Sequence, residues 1–97
     1  MKLEIFRTLW GYRASKAQAL DELLEVGFDG MEARLPLTPV ERGEFGAFLR
    51  ANHVPYIATV FTAYDVLPEQ SATTAEHLTD LEQKLAWSTE LAPRFVN

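Results

Sequence analysis

The sequence predicts an α/β domain in which strands and helices alternate around a parallel sheet. Strand-like stretches begin near Leu3, Phe28, Val54 and Arg94, and a helix-forming stretch separates each from the next. Two parallel strands need a crossover of a dozen or more residues between them, which is usually a helix. The stretch 54–61 is a nearly continuous apolar run, typical of a strand buried on both faces. We therefore expect about three strand-helix units and a fourth strand.

The first unit consists of a strand over 3–9 and a helix that follows Ser15. Glu4 and Arg7 are charges within that strand and need partners if the sheet is buried. Ser15 has a glutamine three residues later, which is the spacing of a capping box, and Gly27 is suited to the left-handed residue that ends a helix. The residues expected to face the core are Ala17, Leu20, Leu23 and Leu24.

The second unit consists of a strand over 28–35 and a helix that follows Thr38. The alternation of this strand places Met31, Ala33 and Leu35 on one side and Glu32 and Arg34 on the other. Thr38 combines a capping box with a proline at the first helical position. We expect the helix to end near Ala51 with Asn52 as the left-handed residue, and to bury Val40, Phe45, Phe48 and Leu49.

The third unit has an unusually long connection between strand and helix. It covers 62–72, whereas such loops usually have about 2 to 6 residues, so we expect a functional lid or a mobile segment there. The helix begins near Thr73 or Thr74, and Pro93 ends it before a strand over 93–97. Its core side is predicted to consist of Leu78, Leu81, Leu85 and Leu91.

Composition excludes several classes of protein. The 97 residues include no cysteine, which excludes disulfides and thiolate metal sites within the chain. The formal charge is -5 and the basic residues are scattered, so an electrostatic footprint for nucleic acid is missing. The sequence lacks both a signal-peptide core and the roughly 18 apolar residues that span a bilayer. We expect a cytoplasmic protein with no nucleic-acid or membrane partner.

Common catalytic and nucleotide-binding motifs are missing. The first strand-to-helix turn, 10–16, contains one glycine and neither the dinucleotide-binding nor the P-loop spacing. No nucleophile elbow, Ser/His/Asp set or Cys/His pair can be assembled, so covalent catalysis has no support. For His53 and His77, surface or capping roles are favoured over metal ligation. Asp65 and Glu69 are more typical of solvated loop carboxylates than of ligand contacts.

The carboxyl ends of the strands are the expected location of a binding site. The candidates there are Trp10, Glu32, Arg34, Thr59, Phe61 and Thr62. Trp10 and Tyr12 either form an apolar wall against a sugar or, for Trp10, pack beneath the first loop. Glu32 either binds a hydroxyl, acts as an acid or base, or forms a buried ion pair with Arg34 or Arg7, which is slightly favoured.

Three segments of the sequence resemble the xylose isomerase-like barrels. They are LEIFRTLW at 3–10, VGFDGME at 26–32 and VPYIA at 54–58. This superfamily includes sugar and sugar-phosphate isomerases and epimerases, with endonuclease IV as a more distant relative. The segment at 27–32 resembles the family's second-strand signature, in which the glutamate, here Glu32, ends near the substrate pocket.

The resemblance implies a TIM barrel of eight units and about 250 residues. Residues 1–97 would then be a single partial domain, the N-terminal part of that barrel. The complete fold is expected to hold a divalent metal through residues of later strands, and no metal is expected in this chain alone. Glu32 and Trp10 match positions where relatives contact substrate. The early histidines and basic surface of the nuclease branch are missing.

Two hypotheses about function follow. In the first, the chain is the N-terminal part of a metal-dependent sugar or sugar-phosphate isomerase or epimerase, inactive alone, whose carbohydrate substrate contacts Trp10, Glu32, Arg34 and Thr62. In the second, it is a self-sufficient small α/β protein that dimerises and binds a ligand without catalysis. A partial barrel leaves its first and fourth strands as open edges. Two copies pairing face to face would cover those edges, which predicts a homodimer if the 97-residue chain is stable alone.

Overall fold

The structure is a computed structural model that describes residues 3–62 and 72–97. Within these ranges the strands are β1 (Phe6–Thr8), β2 (Gly30–Arg34), β3 (Tyr56–Thr59) and β4 (Phe95–Val96), and the helices are α1 (Lys16–Val26), α2 (Pro39–Asn52) and α3 (Thr74–Ser88). A short 3₁₀ helix, Thr89–Leu91, follows α3 directly. None of the described helices is long and apolar enough to cross a bilayer. Most of the predicted long connection, with Asp65 and Glu69, lies outside the described residues.

The four described strands form one sheet in the order β1-β2-β3-β4, and every neighbouring pair is parallel. This confirms the predicted α/β class with a parallel sheet, whereas the TIM barrel stays a prediction. Each strand lies inside its predicted range but is shorter than predicted. The register places Arg7, Met31 and Tyr56 side by side on one face of the sheet, and Thr8, Glu32 and Ile57 on the other.

The core lies between one face of the sheet and the helices. Its buried residues are Leu23, Met31, Ala33, Leu35, Phe45, Leu49, Val54, Tyr56, Ala58 and Leu91. The Phe45 ring packs edge-to-face against Tyr56, with 5.1 Å between ring centroids. The Tyr56 hydroxyl donates to the carbonyl oxygen of Ala33 at 2.8 Å, so the buried phenol has a partner. The opposite face of the sheet, called the open face below, carries Thr8, Glu32 and Arg34.

The predicted helix caps are largely confirmed. Ser15 forms the complete capping box with Gln18, and Gly27 ends α1 with φ 90°. The Thr38 hydroxyl accepts from the backbone N–H of Glu41 at 3.2 Å at the start of α2.

The predicted terminator of α2 is wrong by one residue. His53, with φ 53°, is left-handed in place of Asn52. Asn52 stays helical, and its side-chain amide donates to the carbonyl oxygen of Phe48 at 2.8 Å, which satisfies a carbonyl near the helix end.

The predicted apolar stripes of the helices are partly wrong. The residues expected in the core but found exposed are Ala17, Leu24, Val40, Leu78 and Leu85. The buried residues of α3 are instead Lys84 and Ser88. The Lys84 ammonium donates to the carbonyl oxygen of Phe61 at 2.5 Å and to the Asp80 carboxylate at 2.8 Å. The paired charge of Lys84 therefore connects α3 to the residues that follow β3, where the leucine spacing predicted an apolar contact.

A buried arginine joins α2 to the segment that follows α3. The Arg42 guanidinium donates to the Glu90 carboxylate at 2.8 Å and lies 4.5 Å from the ring centroid of Trp87. It also donates to the carbonyl oxygen of Pro36 at 3.3 Å. Because its charge has a carboxylate, a carbonyl and an aromatic face as partners, Arg42 is accommodated at 3% exposure.

Side chains from opposite edges of the sheet meet. Glu4 precedes β1 and Arg94 precedes β4, and their carboxylate and guanidinium form an ion pair. In a flat sheet the two edge strands would be about 14 Å apart, because neighbouring strands lie about 4.8 Å apart. The Trp10 and Phe61 rings, which follow β1 and β3, also approach to 5.7 Å between centroids. These contacts indicate a sheet that is concave on its open face.

Candidate functional site

A cleft of about 440 Å³ lies at the carboxyl ends of β1, β2 and β3. Loops that follow parallel strands meet at this edge of a sheet, which is where ligands bind in such folds. The lining includes Trp10 and Tyr12 from the loop after β1, Glu32 and Arg34 from β2, and Thr59 from β3. Three of the four predicted substrate contacts, Trp10, Glu32 and Arg34, therefore share one cleft.

Glu32 is the acidic residue of the cleft lining, and both of its oxygens have partners. One oxygen accepts from the Thr8 hydroxyl at 3.1 Å, and the other accepts from the Asn97 side-chain amide at 3.4 Å. The Thr8 hydroxyl also accepts from the backbone N–H of Trp10 at 3.2 Å. The carboxylate is thus oriented by groups from both sides of β2, and the same hydroxyl connects it to the loop that carries Trp10.

The structure does not support the predicted ion pair between Glu32 and Arg7. Arg7 lies on the helix-covered face, where its guanidinium is 3.9 Å from the Glu22 carboxylate and 5.4 Å from the Tyr12 ring centroid. Arg34 is two residues beyond Glu32 on the same strand and therefore lies on the open face with it. The hydrogen bonds that the structure gives Glu32 come from two neutral groups, the Thr8 hydroxyl and the Asn97 amide.

Trp10 presents its indole to the solvent at the mouth of the cleft. Its side chain is 60% exposed, and its ring packs at a tilt against Phe61, with 5.7 Å between ring centroids. This exposure favours the apolar-wall interpretation over packing beneath the first loop. An exposed indole beside hydrogen-bonding groups is suited to the apolar face of a polar ligand.

Tyr12 forms a more enclosed part of the same lining. Its hydroxyl oxygen is buried and has no partner at full hydrogen-bond geometry within 3–62 and 72–97, although the Glu22 carboxylate lies close enough to affect it. Desolvation, together with the negative charge of Glu22, raises the pKa of Tyr12, so the phenol stays neutral.

A second concavity of about 340 Å³ adjoins the cleft on the side of β4. Its lining includes Val60, Phe61 and Asn97, and it shares Trp10 and Glu32 with the first cleft. The Trp10 indole and the Glu32 carboxylate therefore line both spaces.

Thr62, the fourth predicted substrate contact, is not among the residues that line either concavity. Its hydroxyl oxygen is 2.8 Å from Nδ1 of His77, in the first turn of α3. This bond connects the end of β3 to α3, close to the pair of Lys84 and Phe61. A contact between Thr62 and a ligand stays a prediction.

The described residues do not form a site for a divalent metal. In this part of the chain no three histidine, aspartate or glutamate side chains lie close enough together to hold one. Glu32 is surrounded by a hydroxyl and an amide, which are weak ligands for a borderline cation such as zinc.

Sequence reasoning missed two members of the site, Thr8 and Asn97. Thr8 is the last residue of β1, and Asn97 directly follows β4. Both are polar residues at carboxyl ends of strands, so the positional rule that selected Glu32 also applied to them.

Comparison of the chain with protein-family models, with curated proteins and with solved structures gave no match. The xylose isomerase-like assignment therefore stays a prediction that rests on the three short segments of sequence.

Proposed function

We propose that the cleft binds a small carbohydrate, a sugar or a sugar phosphate. The observation that carries this proposal is the exposed Trp10 indole beside the oriented carboxylate of Glu32. A pyranose or furanose has C–H groups that pack on an aromatic ring and hydroxyl groups that need acceptors. The cleft offers both kinds of contact within one small space.

Glu32 supports binding of hydroxyl groups through its remaining acceptor capacity. A carboxylate has about four lone-pair positions, and Thr8 and Asn97 use two of them. Charged acceptors form the stronger class of hydrogen bond, so ligand hydroxyls gain from binding here. The two protein partners hold the carboxylate in one orientation, which reduces the entropy that a ligand must offset.

Arg34 supports the sugar-phosphate form of the proposal. Its side chain lines the same cleft, and a guanidinium matches the geometry of a phosphate group. A phosphorylated sugar would place its ring near Trp10 and its phosphate near Arg34.

The finer proposal is that the chain is the N-terminal part of a sugar or sugar-phosphate isomerase or epimerase. Support for it comes from the resemblance and from the position of Glu32 in the cleft. A carboxylate within hydrogen-bond reach of a sugar carbon or hydroxyl can accept or return a proton. The metal that the resemblance implies for the complete fold has no ligand set in the described ranges, so this proposal concerns binding and proton transfer alone.

Tryptophan fluorescence provides the test of binding. Trp10 is exposed at the cleft, and Trp87 lies elsewhere against Arg42. We expect aldoses, ketoses or their phosphates to change the emission of the wild type and of Trp87→Phe, but not of Trp10→Phe. Glu32→Gln is expected to weaken the same binding about tenfold, since a charged acceptor is lost.

A panel of phosphorylated and unphosphorylated sugars separates the two ligand classes. Arg34→Met should weaken binding of the phosphates while leaving that of the neutral sugars unchanged. If no member of the panel produces a saturable change in the wild type, carbohydrate binding is wrong. Binding without isomer formation is expected under both hypotheses, because the first also leaves the chain inactive alone. Isomer formation by the 97-residue chain would contradict the non-catalytic alternative.

A further inference from the structure

The outer sides of the two edge strands are unpaired in the part of the chain that the structure describes. β1 pairs with β2 alone and β4 pairs with β3 alone, so each has a row of backbone groups without a neighbouring strand. Both edges also carry large exposed apolar side chains, namely Leu3, Ile5, Phe95 and Val96. Open edges with apolar side chains favour pairing with another strand.

The direction of the strands restricts how the edges can be covered. All neighbouring strands are parallel, and the sheet is concave on its open face. A two-fold axis along the strands preserves their direction, so it places β4 of one copy parallel to β1 of another. The same operation covers the two remaining edges, and four strands from each copy form a closed sheet of eight. Eight strands enclose an interior that side chains can fill.

Charge at the amino ends of the edge strands fits the same arrangement. Arg94 precedes β4 and Glu4 precedes β1, and the two side chains already pair within one chain. Where β4 of one copy lies beside β1 of the other, Arg94 faces the Glu4 of that second copy. In that arrangement each of the two charges has an opposite charge both within its own chain and in the second copy.

We propose that a second copy of this chain covers both edges, in a two-fold dimer in which β4 of each copy pairs with β1 of the other. This inference is independent of carbohydrate binding, because its residues lie at the sheet edges and not in the cleft lining. The dimer would place both clefts at the same end of the closed sheet.

Sedimentation velocity of the 97-residue chain is the first test. We expect a species of twice the 11.0 kDa chain mass that dissociates on dilution. A folded monomer at every concentration overturns the proposal, since the edges would then be stable alone or reserved for another partner or a further segment of chain. Large heterogeneous aggregates overturn it as well, because they would show that the copies associate without forming a closed dimer.

A matched pair of variants distinguishes association through the edge strands from non-specific association of exposed apolar side chains. Phe95 lies on β4 and is 67% exposed, whereas Leu78 lies on α3, outside both edge strands, and is 55% exposed. Phe95→Asp should raise the dissociation constant of the dimer about tenfold or more, and Leu78→Asp should leave it nearly unchanged. Equal effects of the two substitutions would contradict the proposed interface.

A mixing experiment tests the partner of each charge. The Glu4→Arg chain carries two positive charges at the amino ends of its edge strands, and the Arg94→Glu chain carries two negative ones. Each variant alone repels itself both within the chain and across the interface, so its dimer should be weaker. In a heterodimer of the two variants, both contacts between β4 and β1 join opposite charges. An equimolar mixture should therefore form heterodimers preferentially. If the mixture shows no preference for heterodimers, the proposed pairing of β4 with β1 is wrong.

Discussion

The two faces of the sheet use alternate residues of the same strands for different purposes. On the helix-covered face, Met31 and Ala58 have 0% exposure and contact apolar neighbours. On the open face, Glu32 is half-buried and bonded to polar side chains, and Arg34 is exposed. Residues adjacent in sequence therefore contribute either to stability or to the cleft, and substitutions on one face should leave the other largely unaffected.

Met31→Ala is expected to have the largest effect on stability. This side chain is among the largest that are fully buried, and its removal leaves a cavity between the sheet and the helices. We expect a loss of about 2 to 5 kcal/mol in the free energy of unfolding, measured by urea denaturation. Leu78→Ala, at an exposed position, is the control and should cost much less. Equal losses would mean that burial does not distinguish the two sites.

Alanine at two glycines should give opposite effects. At Gly30, on the open face, an added Cβ would lie 2.4 Å from the carbonyl oxygen of Pro55 and 2.5 Å from the Phe6 ring, so the backbone must move. We expect Gly30→Ala to cost about 1 to 3 kcal/mol. Gly43 lies in α2 with open space around it, so Gly43→Ala should stabilise the helix by up to about 1 kcal/mol.

Thermal denaturation of both glycine variants is the measurement. A destabilising Gly30→Ala would show that the open face is tightly packed at the amino end of the strands, although it is open at the carboxyl end. If Gly30→Ala is as well tolerated as Gly43→Ala, the close contact with Pro55 is not maintained in solution.

Tyr56→Phe is expected to have the smallest effect of these substitutions. It removes the hydroxyl that donates to Ala33, at a net cost of about 1 kcal/mol. Burial raises the pKa of Tyr56, so the folded protein retains the phenolic proton more strongly than the unfolded chain does. The resulting stabilisation is complete below the unfolded pKa of about 10 and is lost as the pH rises above that value.

Urea denaturation between pH 8 and pH 11.5 checks this alkaline dependence. The wild type should lose stability above about pH 10, and Tyr56→Phe should lose less over the same interval. Some dependence should remain in that variant, because the pKa of Tyr12 is also raised. Identical slopes in the two proteins would contradict a protonated, buried Tyr56.

Local features of the fold were predictable because their causes are local. The alternation of β2 correctly separated Met31 and Ala33 from Glu32 and Arg34, since successive side chains of a strand point to opposite faces. The Ser15 capping box depends on residues three positions apart and was also predicted correctly. The rule that binding sites lie at the carboxyl ends of strands selected Trp10, Glu32 and Arg34, and the structure places all three in one cleft.

Features that depend on distant residues were not predictable from the pattern. The leucine spacing of α3 suggested an apolar face, but Lys84 is buried because the Phe61 carbonyl and Asp80 satisfy its charge. The contact of Asn97 with Glu32 spans 65 residues and depends on how β4 lies relative to β2. Apolar periodicity carries no information about such partners, so polar packing was missed in both cases.

The strand order has a consequence for folding kinetics. Each strand pairs with the one before it in sequence, so every strand pairing closes a chain segment of moderate length, although the segment between β3 and β4 is about half as long again as the other two. The entropy of closing a loop grows only slowly with its length. The sheet can therefore grow one unit at a time, and no single strand pairing carries most of the entropic cost. The contact between Glu4 and Arg94 spans far more of the chain, since its partners are 90 positions apart in sequence. We expect a contact of that span to form late, and therefore to affect the rate of unfolding more than the rate of folding.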